Sequence, residues 1–255
     1  MAKKLIVGNW KMHPATLADA KKLFDAVKRK VTGVRNAEVA IAPPALFLGV
    51  LTERYKGKTI AFCGQDAFFE QEGAYTGEVS PEQLKSVGVR YCIIGHSERR
   101  ALGEGDETVN RKLRSVMARG LTPILCVGES ERDDDGAYLS FVSAQIRRGL
   151  VDVPLAEVKN IIIAYEPVWA IGKSAESAMK PRDMHEMKLY IYKLLVERYG
   201  ESVAKRVRIL YGGSVEGSNA SAILTESAVD GFLVGHASLS AESFAQIARS
   251  ISKTR

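Results

Sequence analysis

The chain has 255 residues, of which 46% are hydrophobic and 26% charged. This composition is that of an ordinary globular protein with enough apolar residues for one sizeable core. No run approaches the roughly 18 apolar residues of a membrane-spanning helix, and the first residues, MAKKLIVGNW, lack the apolar core of a secretion signal. We therefore expect neither a membrane span nor export.

The formal net charge of +6 raises the question of nucleic-acid binding. The basic residues are scattered over several predicted helix faces, and acidic residues such as Asp133 and Asp135 lie between them. No nucleic-acid recognition motif and no stripe of basic and aromatic residues accompanies them. We expect no nucleic-acid partner, and a mildly positive surface would also suit a small anionic substrate.

The three cysteines, Cys63, Cys92 and Cys126, each lie within or at the end of an apolar run. An odd number of cysteines in such positions predicts small buried side chains rather than disulfides or a metal site. A reducing compartment, and by default the cytosol, is the expected location.

Eight short runs rich in β-forming residues follow one another along the chain. Most are apolar without alternation, which is typical of parallel strands covered on both faces. They span residues 5–9, 38–42, 59–63, 90–94, 121–127, 161–165, 207–211 and 230–234.

Amphipathic segments separate these runs, and their apolar residues recur with helical spacing, as between residues 17 and 31, 184 and 194, and 244 and 251. Eight strands, each followed by a helix, favour a closed (β/α)₈ barrel of the α/β class over a doubly wound sheet. Nothing along the chain has the composition of a linker. We expect residues 1–255 to form a single domain.

In such barrels the chemistry lies where the strands end and the following loops begin. Asn9 and Lys11 follow the first predicted strand, His96 the fourth and Glu166 the sixth, and glycine turns follow the seventh and eighth. The sequence therefore brings a cation, an imidazole, a carboxylate and two glycine turns to one mouth of the barrel.

Five motifs stand at these places in order: GNWKM (8–12), GAYTGEVS (73–80), GHSERR (95–100), YEPVWAIG (165–172) and YGGSV (211–215). Together they closely resemble the triosephosphate isomerase family, over essentially the whole chain. The resemblance implies a single TIM barrel that interconverts D-glyceraldehyde 3-phosphate and dihydroxyacetone phosphate through an enediolate, in glycolysis and gluconeogenesis. It also implies a cytoplasmic homodimer without metal or cofactor.

The family is a standard example of a carboxylate base, a neutral histidine and a closing loop, and the resemblance assigns these roles to residues here. Glu166, at the rim of the barrel, is the expected base, although a solvated carboxylate capping a loop would leave the same pattern. His96 is the expected electrophile, donating from a neutral imidazole, because the residues after it can start a short helix that disfavours the imidazolium. A structural histidine at a strand end is the alternative.

Lys11 is expected to attract the substrate dianion and to stabilise the charge of the enediolate, with the Asn9 amide beside it. A surface lysine is the alternative, and the match of GNWKM to the family favours the functional role. Glu98 is expected to support the site as a salt-bridge partner rather than to take part in the chemistry.

The phosphate is expected at backbone N–H groups of glycine turns, with Gly172, Ser214, Gly235 and His236 as its binding residues. Two features depart from the family. Residues 173–177 read KSAES where the family's lid has a stretch similar to TGKTA, and His236 stands where the strand-8 loop commonly has a second glycine. We expect the lid to close nonetheless.

The loop of residues 73–80, with Thr76 near its tip, resembles the family's interdigitating dimer loop, so we predict a homodimer; a surface excursion is the alternative. Two other functions remain open: an isomerase of another small phosphorylated aldose or ketose, and a non-catalytic sensor or scaffold for a phosphorylated metabolite. Lys11, His96 and Glu166 together argue against the sensor, because binding alone needs no base.

Overall fold

A computed structural model describes residues 3–172 and 179–251. Eight parallel strands form a closed barrel in chain order, with the first strand paired to the last. The strands are β1 (Lys4–Asn9), β2 (Ala37–Ala42), β3 (Ile60–Gly64), β4 (Tyr91–Ile94), β5 (Thr122–Val127), β6 (Ile162–Tyr165), β7 (Arg208–Tyr211) and β8 (Gly231–Val234). The predicted (β/α)₈ barrel is confirmed, and each strand begins and ends within one residue of its expected position.

Helices follow the strands and surround the barrel. They are α1 (Leu17–Val31), α2 (Ala45–Arg54), α3 (Pro81–Ser86), α4 (Ser97–Ala101), α5 (Asp106–Ala118), α6 (Ala137–Gly149), α7 (Leu155–Val158), α8 (Pro181–Tyr199), α9 (Glu201–Ala204), α10 (Ala220–Ser227) and α11 (Ala241–Ser250). Within the described residues, the 3₁₀ turns Val168–Ala170 and His236–Leu239 lie in the loops after β6 and β8.

The helix α1 illustrates how the helical spacing of apolar residues produces a buried face. Thr16 caps its first turn by accepting the Asp19 backbone N–H, which satisfies a donor that the helix itself cannot use. Phe24 and Val27 lie on its buried face against the barrel. Each such fully buried apolar side chain contributes about 1.5–3 kcal/mol of transfer free energy. The helix thus covers one wall of the barrel and ends beside α11.

The strands are buried on both faces, which explains their continuous apolar runs. In β1, Leu5 and Val7 point into the barrel, whereas Ile6 packs outward against the helices. The barrel interior is a packed core, with Tyr91 near its amino-terminal end. Because this core is rigid, it fixes the positions at which the loops begin after each strand.

An ionic cluster closes the amino-terminal end of the barrel. Glu38 lies 2.5 Å from Arg90 and 3.1 Å from Arg208. Burial raises the pKa of the Glu38 carboxyl, but its interactions with the nearby Tyr91 and Arg208 and the charge of Arg90 outweigh it, so the pKa lies below its ordinary value. The charges at this end are paired with one another.

The three cysteines are free and buried, as the sequence predicted. Burial raises the pKa of each thiol above its ordinary value. Among the residues that the structure describes, no helix is long and apolar enough to cross a membrane.

Candidate active site

A cavity of about 980 Å³ opens at the carboxyl ends of the strands. The loops after β1, β4, β6, β7 and β8 line it. All of the residues that the sequence proposed for catalysis and substrate binding border this one cavity, namely Asn9, Lys11, His96, Glu166, Gly172, Ser214, Gly235 and His236. Within the described part of the chain, no group of three or more His, Cys, Asp or Glu side chains is arranged to hold a metal ion.

Glu166 follows β6, and only 2% of it is exposed. The side chain is therefore enclosed by the barrel rim and is not the solvated carboxylate that the sequence left as an alternative. Its Oε2 accepts the backbone N–H of Ser97 at 2.9 Å, and its Oε1 lies 3.2 Å from His96 Nε2. Two glycines make room for it. A Cβ at Gly128 would lie 1.8 Å from the Glu166 carbonyl oxygen, and a Cβ at Gly212 would lie 2.8 Å from Glu166 Cγ.

His96 is the N-terminal cap of α4, the short helix that the sequence predicted after it. Its Nδ1 accepts the backbone N–H of Glu98 at 3.2 Å, so this nitrogen carries no proton. The proton of the neutral ring therefore lies on Nε2, which faces the Glu166 carboxylate. This hydrogen bond, more than the dipole of a five-residue helix, fixes the tautomer.

Lys11 occupies a strained position near the start of the loop after β1. Its φ of 53° lies in the left-handed region, which costs energy for a residue with a side chain. Two contacts hold it there: the Lys11 N–H donates to Asn9 Oδ1 at 3.0 Å, and the Lys11 carbonyl accepts from Gln65 Nε2 at 2.8 Å. The Lys11 ammonium lies 2.6 Å from Glu98 Oε1, which is the supporting salt bridge expected of Glu98.

Gln65 is a residue of this site that the sequence analysis missed. Its amide nitrogen donates to the carbonyls of both Lys11 and Ala42, each at 2.8 Å, and so ties the loops after β1 and β2 together. Its position after a predicted strand indicated that it lies at the mouth of the barrel. Nothing in the sequence showed which loop its side chain would contact.

Glu129 is the second missed residue. It is 2% exposed, and its carboxylate accepts the Tyr165 hydroxyl at 2.7 Å and the Trp169 indole N–H at 2.8 Å. Burial and the Glu129 charge both raise the pKa of Tyr165, so its hydroxyl remains a donor. These contacts brace the strand end that carries Glu166 and the turn that follows it.

Cys126 packs beside the candidate base. Burial raises the pKa of its thiol well above the ordinary value, and the charge of Glu166 raises it further. The buried thiol and the buried Glu166 side chain therefore lie side by side at this rim of the barrel.

Within the described residues, the other end of the cavity is more open. Gly172 has a φ of 73°, and a Cβ there would meet nothing within 4 Å among residues 3–172 and 179–251. Ser214 Oγ donates to the Ala170 carbonyl at 2.9 Å. The Gly235 backbone lies beside Lys11, because a Cβ at Gly235 would be 3.9 Å from Lys11 Nζ. Residues 173–177, on which the predicted lid falls, lie outside the described residues.

His236 begins the 3₁₀ turn after β8, and its side chain is exposed at the border of the cavity. Lys11 is the one lysine or arginine that borders the cavity within residues 3–172 and 179–251, whereas Glu166 and Glu216 are carboxylates. Because Lys11 already pairs with Glu98, the fixed positive charge that the described residues bring to the cavity is small.

Comparison with known proteins agrees with this geometry. The family model described as triosephosphate isomerase matches residues 4–251. The chain is 45% identical to the triosephosphate isomerase of Trichlorobacter lovleyi, over 98% of this chain and 99% of that protein. It is 43% identical to the enzyme of that name from Carboxydothermus hydrogenoformans, with coverage of 98% and 99%. For the enzyme of that name from a Thermoanaerobacter species, the identity is 44%, with coverage of 97% and 99%.

Proposed function

The chain belongs to the triosephosphate isomerase family, and from that premise we propose the residues with which it works. Its reaction is the interconversion of D-glyceraldehyde 3-phosphate and dihydroxyacetone phosphate, a step of glycolysis and gluconeogenesis. The observation that carries the assignment is the pair of His96 Nε2 and Glu166 Oε1 at 3.2 Å, in one cavity with Lys11.

Glu166 is the proposed base. Its carboxylate removes a proton from the carbon next to the substrate carbonyl, and the electron pair of that C–H bond moves to form the enediolate. The hydroxyl proton on the first carbon passes to the oxygen of the former carbonyl, and the carboxyl group returns the carbon-bound proton to the neighbouring carbon, so that the enzyme ends in its starting state. In the free enzyme the Ser97 N–H and the His96 ring hold the carboxylate, and the substrate must take the place of these contacts.

His96 and Lys11 are proposed to stabilise the charge that develops on the substrate oxygens. The Nε2–H that now faces Glu166 is the free donor of His96, because Nδ1 is used by Glu98. One well-aimed donor at a developing oxyanion contributes about 10²–10³ in rate. The Lys11 ammonium adds a positive charge, and the amide nitrogen of Asn9 is a donor beside it, since its oxygen is already bonded to the Lys11 backbone.

The substrate phosphate is proposed to lie at the more open end, against the backbones of Gly172, Gly235 and His236 and near Ser214. The loops after the seventh and eighth strands of these barrels are a common phosphate site. Among the described residues a Cβ at Gly172 would meet nothing within 4 Å, and the Gly235 backbone lies beside the Lys11 side chain, so N–H groups at both positions suit an anion that approaches closely.

We propose that the enzyme works as a homodimer. Large apolar side chains are exposed around the ends of β1 to β4, namely Met12, Leu46, Tyr75 and Leu102. A groove of about 480 Å³ beside them is bordered by Lys11, Gln65 and Gly77. A second copy that covers this patch with its own residues 73–80 would bury the apolar surface and brace Lys11.

Two further proposals concern the chain as a whole. We propose that residues 1–255 form one catalytic domain, which is supported by strands running from residue 4 to residue 234 of a single barrel. We propose the cytosol as its compartment, which is supported by three free, buried cysteines and by the glycolytic role of the family. No membrane or nucleic-acid partner is proposed.

The test is a coupled isomerase assay on glyceraldehyde 3-phosphate, run beside four- and five-carbon aldose phosphates. We expect turnover of the three-carbon substrate, with activity on the longer substrates lower by at least about tenfold. Preference for a longer substrate would instead identify an isomerase of another sugar phosphate. Binding of dihydroxyacetone phosphate without any turnover would favour a sensor.

A further inference from the structure

The cavity that is to hold a phosphate dianion has little fixed positive charge. In the described part of the chain, Lys11 is its one lysine or arginine, and Glu166 and Glu216 are two carboxylates on its border. Lys11 also shares its charge with Glu98 Oε1 at 2.6 Å. A dianion would therefore gain from a second cation near the Gly235 side of the cavity.

His236 stands at that side. Its backbone follows Gly235 directly, and Gly235 lies against the Lys11 side chain. The imidazole is exposed at the border of the cavity, and among the described residues no hydrogen bond or ion pair ties it to the protein surface. It is thus free to turn toward an anion bound beside Gly235. The inference concerns this side chain and not the N–H groups of the short turn that it begins.

We propose that the His236 imidazole is a direct ligand of the substrate phosphate and binds it more tightly when protonated. The proposal rests on the proposed function, because it takes the phosphate to lie between Gly172, Ser214 and Gly235. Imidazole is the side chain that changes its charge between about pH 5 and 8. Phosphate binding should then be strong at low pH, weaken as His236 loses its proton, and level off once the ring is neutral.

The groups that face His236 across the cavity determine how large this effect is. The charged or titratable ones in the described residues are Lys11 after β1, His96 after β4, Glu166 after β6 and Glu216 after β7. The side chains that α11 places on the border, Ser243 and Gln246, are uncharged. The described border therefore brings two carboxylates and one paired lysine to the same cavity as His236.

Sulfate is the probe for the test, because it remains a dianion throughout the range from pH 5.5 to 8.5 whereas the substrate phosphate itself titrates there. Its dissociation constant is measured at constant ionic strength by following the backbone N–H resonance of Gly235 in NMR spectra, since salt screens such interactions. We expect the dissociation constant of the unaltered protein to rise about fivefold from pH 5.5 to 8.5. This is the change in affinity that the loss of one partly exposed charge pair produces.

Two variants separate charge from shape. His236→Gln should bind sulfate weakly at every pH, and His236→Arg should bind it tightly at every pH. His185→Gln, which alters a histidine outside the cavity, is the control and should follow the unaltered protein. An unchanged pH dependence in His236→Gln overturns the proposal, as does His236→Arg binding no better than His236→Gln.

The titration needs no turnover, so it is independent of the isomerase assay. A protein that isomerises triose phosphates while His236→Gln titrates like the unaltered protein would overturn this inference alone. A protein that shows the expected sulfate pattern without isomerase activity would overturn the proposed function and leave the anion ligand in place.

Discussion

The two ends of the cavity are built differently. At one end, Glu166 and His96 are buried, and each is held by a backbone N–H, from Ser97 and from Glu98 respectively. At the other end, among the described residues, a Cβ at Gly172 would meet nothing within 4 Å and His236 is exposed without a partner. The proposed chemistry therefore lies at the buried end, and the proposed phosphate site lies at the more exposed end.

The difference has a physical reason. A base and an oxyanion donor act only if their atoms are correctly placed before the reaction, because reorganisation would otherwise be part of the barrier. A phosphate brings two negative charges and several acceptor oxygens of its own, so it can order the backbone donors that bind it. Changes at the buried end should lower kcat, and changes at the open end should raise KM.

The largest effect is expected for Glu166→Gln, which removes the proposed base and keeps the shape of the side chain. We expect kcat to fall by at least about 10²–10⁴, with the fold and the binding of a substrate analogue retained. The measurements are steady-state kinetics and circular dichroism. Glu216→Gln is the matched control, because it removes another carboxylate from the border of the same cavity and should change kcat little.

His96→Gln should have the next largest effect. It removes the proposed donor to the substrate oxygens, so kcat should fall by about 10²–10³ while the affinity for substrate changes less. NMR of the ¹⁵N-labelled ring should also show a neutral ring with the proton on Nε2, as the Glu98 hydrogen bond implies. A proton on Nδ1 would contradict the assigned tautomer.

Shortening the loop of residues 73–80 tests how far the buried end depends on a second copy. We expect monomers in sedimentation and a fall in activity of about tenfold or more, because Lys11 loses a brace and small misplacements are costly. The Lys11 backbone is already strained at a φ of 53°, so it is sensitive to lost support. Full activity in a monomeric variant would mean that the chain orders Lys11 by itself.

The smallest effect is expected at the open end. Ser214→Ala removes one hydroxyl, which now donates to the Ala170 carbonyl and is proposed to lie near the phosphate. One hydrogen bond contributes about 0.5–1.5 kcal/mol, so KM should rise by about two- to tenfold with kcat nearly unchanged. A loss confined to kcat would place Ser214 with the chemistry and weaken the division between the two ends.

Much of this molecule could be predicted from its sequence. The continuous apolar runs located the strands because parallel strands are covered on both faces, and the strand ends then showed which polar residues would meet. The burial of Cys126 and the salt bridge of Glu98 were also anticipated. The periodicity of the apolar residues and the order of the strands can be read directly from the sequence, so no coordinates are needed to predict them.

The rest depended on contacts between distant loops. Gln65 reaches the Lys11 carbonyl, and Glu129 binds Trp169 across 40 positions of the chain. The enclosure of Glu166 likewise requires Gly128 and Gly212, whose missing side chains make space for it. No spacing rule connects such residues, because the connection is made by the closed barrel and not by the chain. The left-handed φ of Lys11 could not be predicted for the same reason, because contacts with Asn9 and with the distant Gln65 hold it.

The central claim is that Glu166 moves the proton while the open end only holds the phosphate. The most direct test is the exchange of a carbon-bound hydrogen of dihydroxyacetone phosphate with solvent deuterium, followed by ¹H NMR at saturating substrate. We expect Glu166→Gln to lower the exchange rate by at least about 10² and Ser214→Ala to leave it within about threefold of the unaltered enzyme. Exchange at a near-normal rate in a folded Glu166→Gln variant would contradict the account.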